Sequence, residues 1–323
     1  MPLTKLPGGL LSPLTGSRFS NPWSTHYFVD GDNGLDGNDG TSPGNAFKTI
    51  QAAVTAATGG DVIYIRPKTY TLGTGFARYT EDVIIGQGGT TGSGQTATNA
   101  SISLIGITPR TAFGGDFPGV RWKVSATNGD NLTVRAPGTH IENIGFFNEG
   151  TGRAIWFQTQ TSYVYSGGDG SSLYNCGIKG TGTVYANGGD GLQIIGCQIQ
   201  AKYDGSVGGI HIIGSGADTG SAVARTHIAN CTFIGGNAYN MATGPITLAG
   251  SIYDIMIHDC YFAGATVDTG DFIILSGSID GGVLNCYFAS ADAKTDLAAL
   301  VDGSTGLFCA AIHDANGELD MQS

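Results

Sequence analysis

The side chains that could do acid–base or metal chemistry lie mostly in Gly-rich turns. Four aspartates fall within about ten residues near the start of the chain, a density typical of calcium-binding loops. They are Asp30, Asp32, Asp36 and Asp39. The EF-hand pattern fails, because Gly34 and Leu35 stand at its fifth and sixth places, where a ligand and a glycine are needed. Two interpretations remain, a calcium site or a solvated loop in which aspartates cap their own turns.

Cleavage of a polysaccharide needs two opposed carboxylates, or a base beside a metal ion or basic group. Further aspartates stand in or beside turns: Asp169, Asp190, Asp204, Asp218, Asp254, Asp268, Asp271 and Asp280. No two stand one turn apart at the same place in the phrase described below, so we predict no catalytic residue, cofactor or metal site. His211 is a candidate base if its strand neighbours face inward, whereas His258 and Asp259 are interpreted as bend residues.

These residues are positioned by a short phrase that recurs down the second half of the chain. Its template is an apolar residue, any residue, an Asn-like residue, Cys or Ile, any residue, and an apolar residue. The six copies start at Ile141, Leu173, Ile194, Ile228, Ile257 and Val283. They recur every 20 to 34 residues or so, which indicates a stacked repeat. Alternate apolar residues predict short strands with one inward face, and the linking stretches lack helical periodicity.

Stacking such turns makes an all-β parallel β-helix, in which each strand pairs with the equivalent strand of the next turn. The Asn-like position forms a column in which Asn tolerates a left-handed bend and can bond to the next amide. This column is Asn143, Asn175, Gly196, Asn230, Asp259 and Asn285. Five cysteines form a second, inward column of small apolar side chains. They are Cys176, Cys197, Cys231, Cys260 and Cys286. Cys309 lies outside the phrase, and we expect it to be buried too.

Composition narrows the class of protein. The 323 residues include 54 glycines, and 13% are charged while 41% are hydrophobic, which favours a folded chain with many bends over a disordered one. The formal net charge of −11 argues against nucleic acid and anionic membranes as partners. The start of the chain lacks the pattern of a secretory signal, so we expect assembly in a host cytoplasm.

Four segments are predicted. Residues 1–25 carry four prolines and isolated leucines and form an extended N-terminal arm, interpreted either as a floppy terminus or as a strap that docks on a neighbour. Residues 26–70 form a cap and first turn, with a helix capped by Asn45 and stopped by Gly59 and Gly60. Its apolar face is Phe47, Ile50, Ala53, Val54 and Ala57. Residues 71–290 form the β-helix, and residues 291–323 a C-terminal cap and tail with a short helix over 292–300 and a strand over 306–313.

The cap carries a family resemblance. Tyr27-Phe-Val-Asp30, Gly40-Thr-Ser-Pro43, Phe47-Lys-Thr-Ile50 and Gly60-Asp-Val-Ile-Tyr-Ile65 closely resemble the N-terminal cap and first turn of pectin-lyase-like right-handed β-helix proteins. Lys68 departs from it, since the family usually has Gly after this proline. The resemblance implies a right-handed β-helix with a lid helix. It specifies function weakly, because the superfamily includes lyases, hydrolases, phage tailspikes and non-catalytic virion proteins. The polygalacturonase signatures and the paired-Asp pattern of pectate lyases are absent.

We therefore expect a structural virion protein of a tailed phage, a capsid-decorating knob held to the major capsid protein by residues 1–25. The alternative is a tailspike or tail-fibre protein that binds or cleaves host surface polysaccharide; a free-standing polysaccharide enzyme is a third. A homotrimer is predicted from the low-charge surface and the resemblance. The discriminating feature is a line of exposed aromatic and acidic side chains, for which Tyr163, Tyr165, Tyr185 and Tyr203 are candidates.

Overall fold

A computed structural model describes residues 24–71, 75–86, 99–107, 118–126, 128–159, 167–180, 184–201, 209–214, 223–234, 245–263, 273–288, 306–314 and 317–319. The predicted arm, except its last two residues, and the helix predicted over 292–300 lie outside them. Tyr163, Tyr165, Tyr203, Asp204, Asp218, Asp268 and Asp271 do so too. The predicted segment boundaries stay predictions.

The described part of the chain is a stack of short strands. The first sixteen are β1 (His26–Val29), β2 (Val62–Ile65), β3 (Tyr70–Thr71), β4 (Gly75–Phe76), β5 (Tyr79–Thr80), β6 (Val83–Ile85), β7 (Ser103–Gly106), β8 (Val120–Lys123), β9 (Leu132–Val134), β10 (His140–Glu142), β11 (Ile144–Asn148), β12 (Ile155–Gln158), β13 (Ser172–Tyr174), β14 (Gly177–Gly180), β15 (Val184–Asn187) and β16 (Gly189–Asp190). The others are β17 (Gln193–Ile195), β18 (Gln198–Ala201), β19 (Ile210–Ile213), β20 (Val223–Ala224), β21 (His227–Ala229), β22 (Thr232–Ile234), β23 (Ile246–Ala249), β24 (Ile252–His258), β25 (Tyr261–Ala263), β26 (Ile273–Ser276), β27 (Ile279–Leu284), β28 (Tyr287–Phe288), β29 (Gly306–Ala310), β30 (Ile312–Asp314) and β31 (Gly317–Leu319).

Each full turn contributes one strand to each of three sheets, which confirms the predicted parallel β-helix. The first sheet has twelve strands and includes, in order, β1, β2, β7, β10, β13, β17, β21 and β24; the second has ten, and the third has seven, from β6 to β26. Described pairs between successive turns are parallel, as in Ile141 opposite Leu173 and Leu173 opposite Ile194. The antiparallel pairs β3–β4 and β30–β31 lie at its margins. The first sheet runs without interruption from β1 onward.

The Asn-like column makes the bend between the first and second sheets, as predicted. Asn143, Asn175, Asn230, Asp259 and Asn285 have φ between 49° and 57°. These are left-handed conformations that Asn and Asp adopt more readily than most residues. Between successive turns of this column, the amide of Asn285 donates to Oδ1 of Asp259. The five predicted column cysteines are buried free thiols, as expected.

The inward residues form one continuous core. Large side chains stack at the same position of successive turns, and Phe233, Phe262 and Phe288 are fully buried. Their ring centroids lie 4.7 and 4.5 Å apart with nearly parallel planes. Because strands stack at about 4.8 Å, identical residues in one column place their rings at stacking distance.

The lid helix α1 (Ile50–Ala56) is shorter than predicted and capped differently. Thr49 is the N-cap, and its hydroxyl accepts from the amide of Ala52, whereas Asn45 ends a separate 3₁₀ turn over Pro43–Asn45. The carboxylate of Glu81, from the next turn, accepts from the amides of Ile50 and Gln51 at 3.1 and 3.0 Å. It satisfies two of the amides that a helix start leaves without a partner. The helix ends at Ala56, before Gly59, because the chain is already extended at Ala57.

The predicted face of this helix is confirmed. Phe47, Ile50, Ala53, Val54 and Ala57 are all buried, with Phe47 lying just before the helix. At the other end, the strand predicted over 306–313 is two strands, β29 and β30, separated by Ala311 at φ 52°. Ala311 therefore makes the same left-handed bend in a seventh turn. Cys309 lies opposite Val283, in the phrase's first position, and is partly rather than fully buried.

Candidate functional site

A row of polar and aromatic side chains lies on the outer face of the third sheet. Strands β12, β15 and β19 each bury the first and third residues, as Ile155 and Phe157 show, so the second points outward. Register places Trp156 beside Tyr185, and Tyr185 beside His211. The ring centroids are 6.5 Å apart for Trp156 and Tyr185, and 6.4 Å for Tyr185 and His211. His211 points outward, as predicted, and lies in one row with Tyr185, a predicted candidate.

Arg153 covers two rings of this row. Its guanidinium carbon lies 4.0 Å from the ring centroid of Trp156 and 4.5 Å from that of Tyr185. Its Nη1 is 3.7 Å from Oδ2 of Asp130, and its side chain remains 35% exposed. Trp156 Nε1 donates to Oδ1 of Asn187 at 3.0 Å, which fixes the indole plane. We call Arg153, Trp156, Tyr185 and His211 the aromatic row.

The imidazole of His211 is largely buried, since the residue is 9% exposed. Burial lowers its pKa to about 4, so the ring is neutral near pH 7. A neutral imidazole can accept a proton, but such a low pKa makes it a weak base. The role of His211 as a base stays a hypothesis.

The four aspartates near the start of the chain bond to the protein itself. Oδ1 of Asp36 accepts from the amide of Thr49 at 2.8 Å, and Oδ2 of Asp32 from the amide of Thr69 at 2.6 Å. Oδ1 of Asp39 accepts from the amide of Thr41. Asp30 accepts from the amides of Asp32 and Asn33 and from Arg66 Nη1. Although burial acts to raise it, the bonds from Asn33 and Arg66 hold the pKa of the Asp30 carboxyl below its ordinary value. These contacts favour the turn-capping interpretation.

Two pairs of the turn aspartates do lie on adjacent turns, at bends outside the phrase. In one pair the amide of Asp254 donates to Oδ1 of Asp280 at 2.5 Å, and the other pair is Asp169 and Asp190. The amide of Asp190 donates to Oδ1 of Asp169 at 2.8 Å. Arg225 Nε donates to Oδ1 of Asp190 at 2.7 Å and holds the pKa of that carboxyl below its usual range. Asp169 stands four residues before the phrase copy at Leu173, and Asp190 four residues before the copy at Ile194, so a longer phrase would have aligned them. The arginine neutralises Asp190, so the pair offers no opposed acid and base.

A cluster of polar side chains that the sequence did not predict bridges β10 and β13. His140 Nδ1 lies 2.8 Å from Ser172 Oγ, and its Nε2 lies 3.1 Å from Glu142 Oε2. The order Ser, His, Glu is that of an activated nucleophile. His140 and Ser172 are each 5% exposed, so a substrate carbonyl cannot reach the hydroxyl. The cluster joins two turns by polar bonds.

Another polar cluster, of His227, His258 and Asp259, lies further along the first sheet. Asp259 has φ 54°, which confirms it as a bend residue, whereas His258, also predicted to be one, is the last residue of strand β24. Oδ2 of Asp259 lies 2.5 Å from Nδ1 of His258, and Nε2 of His258 faces Nε2 of His227 within hydrogen-bond range. The sequence did not single out His227. His227 directly precedes the first position of its phrase copy, and His258 occupies the second position of the next copy. Because the first position faces inward, both histidines point outward, from adjacent turns.

A cleft of about 570 Å³ opens beside the lid, with Phe28, Tyr64 and Ile107 among its apolar lining residues and Arg66 and Asp30 at one side. The rings of Phe28 and Tyr64 stack with centroids 5.7 Å apart. Within the described ranges, no group of three or more His, Cys, Asp or Glu side chains is placed to ligate one metal ion. No described helix has the length and hydrophobicity to cross a membrane.

No protein-family model and no curated protein matches the sequence. Two solved structures are similar in fold. One is a rhamnogalacturonan lyase with 15% sequence identity and a TM-score of 0.55, covering 82% of this chain and 69% of that chain. The other is the pectate lyase Pel9A, with 11% identity and a TM-score of 0.50, covering 91% and 78%. The chain thus shares the right-handed parallel β-helix fold of these two structures.

Proposed function

We propose that this chain binds a polysaccharide along the aromatic row, in the manner of a tailspike or tail-fibre protein. The alignment of Trp156, Tyr185 and His211 on three successive turns supports the proposal. A sugar presents C–H groups on one face and hydroxyls at its rim. The C–H groups can pack against the parts of the half-buried Trp156 and Tyr185 rings that Arg153 leaves uncovered, while Arg153 can donate to hydroxyl or carboxylate oxygens. The row runs along the solenoid, which suits an extended chain.

The two similar structures are named for polysaccharides, rhamnogalacturonan and pectate. Those polymers are therefore the first probes, and lipopolysaccharide and capsular polysaccharide from bacteria are the second set. The net charge of −11 disfavours densely anionic chains at a distance. Arg153 is the cation of the row, and Asp130 already pairs with it. We therefore expect neutral or sparsely charged polymers to bind more tightly than densely anionic ones.

Affinity electrophoresis of the full chain in gels containing each polymer tests the proposal. A polymer that the protein binds should retard it in the gel. Tyr185→Ala should weaken the affinity for that polymer about tenfold, as expected for loss of roughly 1.4 kcal/mol of ring contact. Tyr261→Ala is the matched control, because Tyr261 is 43% exposed on the second sheet. Retardation lost in Tyr261→Ala but kept in Tyr185→Ala would overturn the assignment to this face.

Cleavage is a separate question. We expect binding without cleavage, because the described part of the row carries one neutral imidazole and no opposed pair of carboxylates. Incubation of a bound polymer with the protein should release no new reducing ends. Reducing ends that appear with the wild type and vanish in His211→Thr would show instead that His211 is a catalytic base.

The capsid-decorating role stays a second proposal, with residues 1–25 as its anchor on a major capsid protein and a homotrimer as its form. Quantitative mass spectrometry of purified phage particles distinguishes the two. Hundreds of copies would support decoration, and a number near that of a tail appendage would support the polysaccharide-binding role. Light scattering tests the trimer, which a monomer at the sequence mass of 33.1 kDa would contradict.

A further inference from the structure

Two histidines of the first sheet direct the same ring atom at one point. His227 on β21 and His258 on β24 lie on adjacent turns, with ring centroids 4.6 Å apart and planes inclined by 38°. Nε2 of each faces Nε2 of the other. One proton can lie between two such nitrogens, whereas a second would bring two N–H groups head to head. The position between them therefore suits a single cation.

The tautomer of His258 is set from the other side. Nδ1 of His258 lies 2.5 Å from Oδ2 of Asp259, and the amide of Asn285 donates to Oδ1 of the same carboxylate. A carboxylate accepts the Nδ1 proton and leaves a lone pair on Nε2. This order of carboxylate, imidazole and open lone pair is the arrangement that supports metal-binding histidines.

We propose that His227 and His258 bind a divalent transition-metal ion through their two Nε2 atoms. Imidazole favours Zn²⁺, Cu²⁺ and Ni²⁺ over Ca²⁺ and Mg²⁺. On binding, the proton on Nε2 of His227 moves to Nδ1 or to solvent, and the two rings turn apart to admit the ion at about 2 Å from each Nε2. The side chain of His258 is 26% exposed, so water can reach the ion and complete its coordination.

Charge around the pair fits this assignment. Asp259 supplies a negative charge on the far side of the His258 ring without ligating the ion. Since the two imidazoles come from adjacent turns, a bound ion would link β21 to β24 and stabilise the stack.

The test uses the full chain without a histidine tag. Isothermal titration with Zn²⁺ should give one ion per chain, and the Cu²⁺ electron paramagnetic resonance spectrum should show coupling to two imidazole nitrogens. His227→Gln and His258→Ala copy the residues that precede them in register, Gln193 and Ala229, so the strands are expected to fold. Each should weaken binding by about a hundredfold or more.

Asp259→Asn keeps the residue type usual in its column and should weaken binding by about 10- to 100-fold through the lost support of His258. His26→Gln, an exposed histidine far along the stack, should bind like the wild type. The proposal is overturned if the wild type takes up no Zn²⁺ or Cu²⁺ at millimolar concentration. It is equally overturned if His227→Gln and His258→Ala bind as tightly as His26→Gln while circular dichroism shows both folded.

Discussion

The imidazole of His211 stacks on the phenol ring of Tyr185 one turn away, with centroids 6.4 Å apart and planes inclined by 27°. Burial there disfavours the charged imidazole and lowers its pKa from 6.5 to about 4. Between those values the unfolded chain binds a proton at this position that the folded chain does not. Linkage then makes stability depend on pH.

The contribution of His211 to the free energy of unfolding should be complete above about pH 6.5 and should fall as the pH approaches 4, by up to about 3 kcal/mol. His211→Thr, which copies Thr247 at the same place in the next turn, should flatten this part of the profile. Urea unfolding at about pH 7, 5.5 and 4.5 measures the difference between wild type and variant. An equal fall with pH in both proteins would contradict the assignment.

Gly196 breaks the Asn column for a reason that can be tested. A Cβ at Gly196 would lie 2.7 Å from Oδ1 of Asn175, and the backbone there has φ 67°. Gly196→Ala should therefore cost about 1–2 kcal/mol from the left-handed backbone, with more from the collision. Adding Asn175→Gly should remove the collision, so the double variant should be more stable than the sum of the single changes predicts. Strict additivity in urea unfolding would show that the two residues do not interact.

The fold was largely predictable because the phrase fixes register. From its first apolar residue to its last, each copy has the same length, so the bend at Asn230 and the inward thiol of Cys231 could be assigned from sequence. Of the aromatic row, the sequence singled out Tyr185 and His211 but not Arg153 and Trp156. Its strands follow linkers of differing length, so their alignment becomes known only from the pairing of the strands.

The polar clusters show a different limit, because the phrase was defined too narrowly. Asp169 and Asp190 each stand four residues before a copy of the phrase, at Leu173 and Ile194, so a longer phrase would have aligned them. His227 and His258 were within reach, because extending the phrase by one residue places both on the outer face of neighbouring turns. The helix cap was misassigned because Asn45 and Thr49 are both good N-cap residues, and the extended backbone at Ala46 decides between them.

The thiols should differ sharply in reactivity. Cys231, Cys260 and Cys286 are buried, and hydrogen bonding within the column and burial raise their pKa. Cys309 is partly exposed, and burial raises its pKa to about 11. Because the thiolate is the reactive form, iodoacetamide should label Cys309 first in the folded protein, at a rate that rises with pH.

Intact mass measured over time should show one early alkylation, and unfolding in urea should allow all six. Cys309→Val, which copies Val283 at the same place in the preceding turn, should remove the early event. Early alkylation that persists in this variant would mean that a column thiol is accessible.

The phenylalanine column should carry more stability than the tyrosines beside it. Phe262 is fully buried between Phe233 and Phe288, so Phe262→Ala should lower the free energy of unfolding by about 3–5 kcal/mol. Phe262→Ile should cost less, because Ile199 fills the same position two turns earlier. Tyr261→Ala, on the adjacent outward side chain, should cost less than about 1 kcal/mol. Urea unfolding ranks the three, and an equal loss in Tyr261→Ala and Phe262→Ala would mean that outward stacking stabilises the turns as much as the core does.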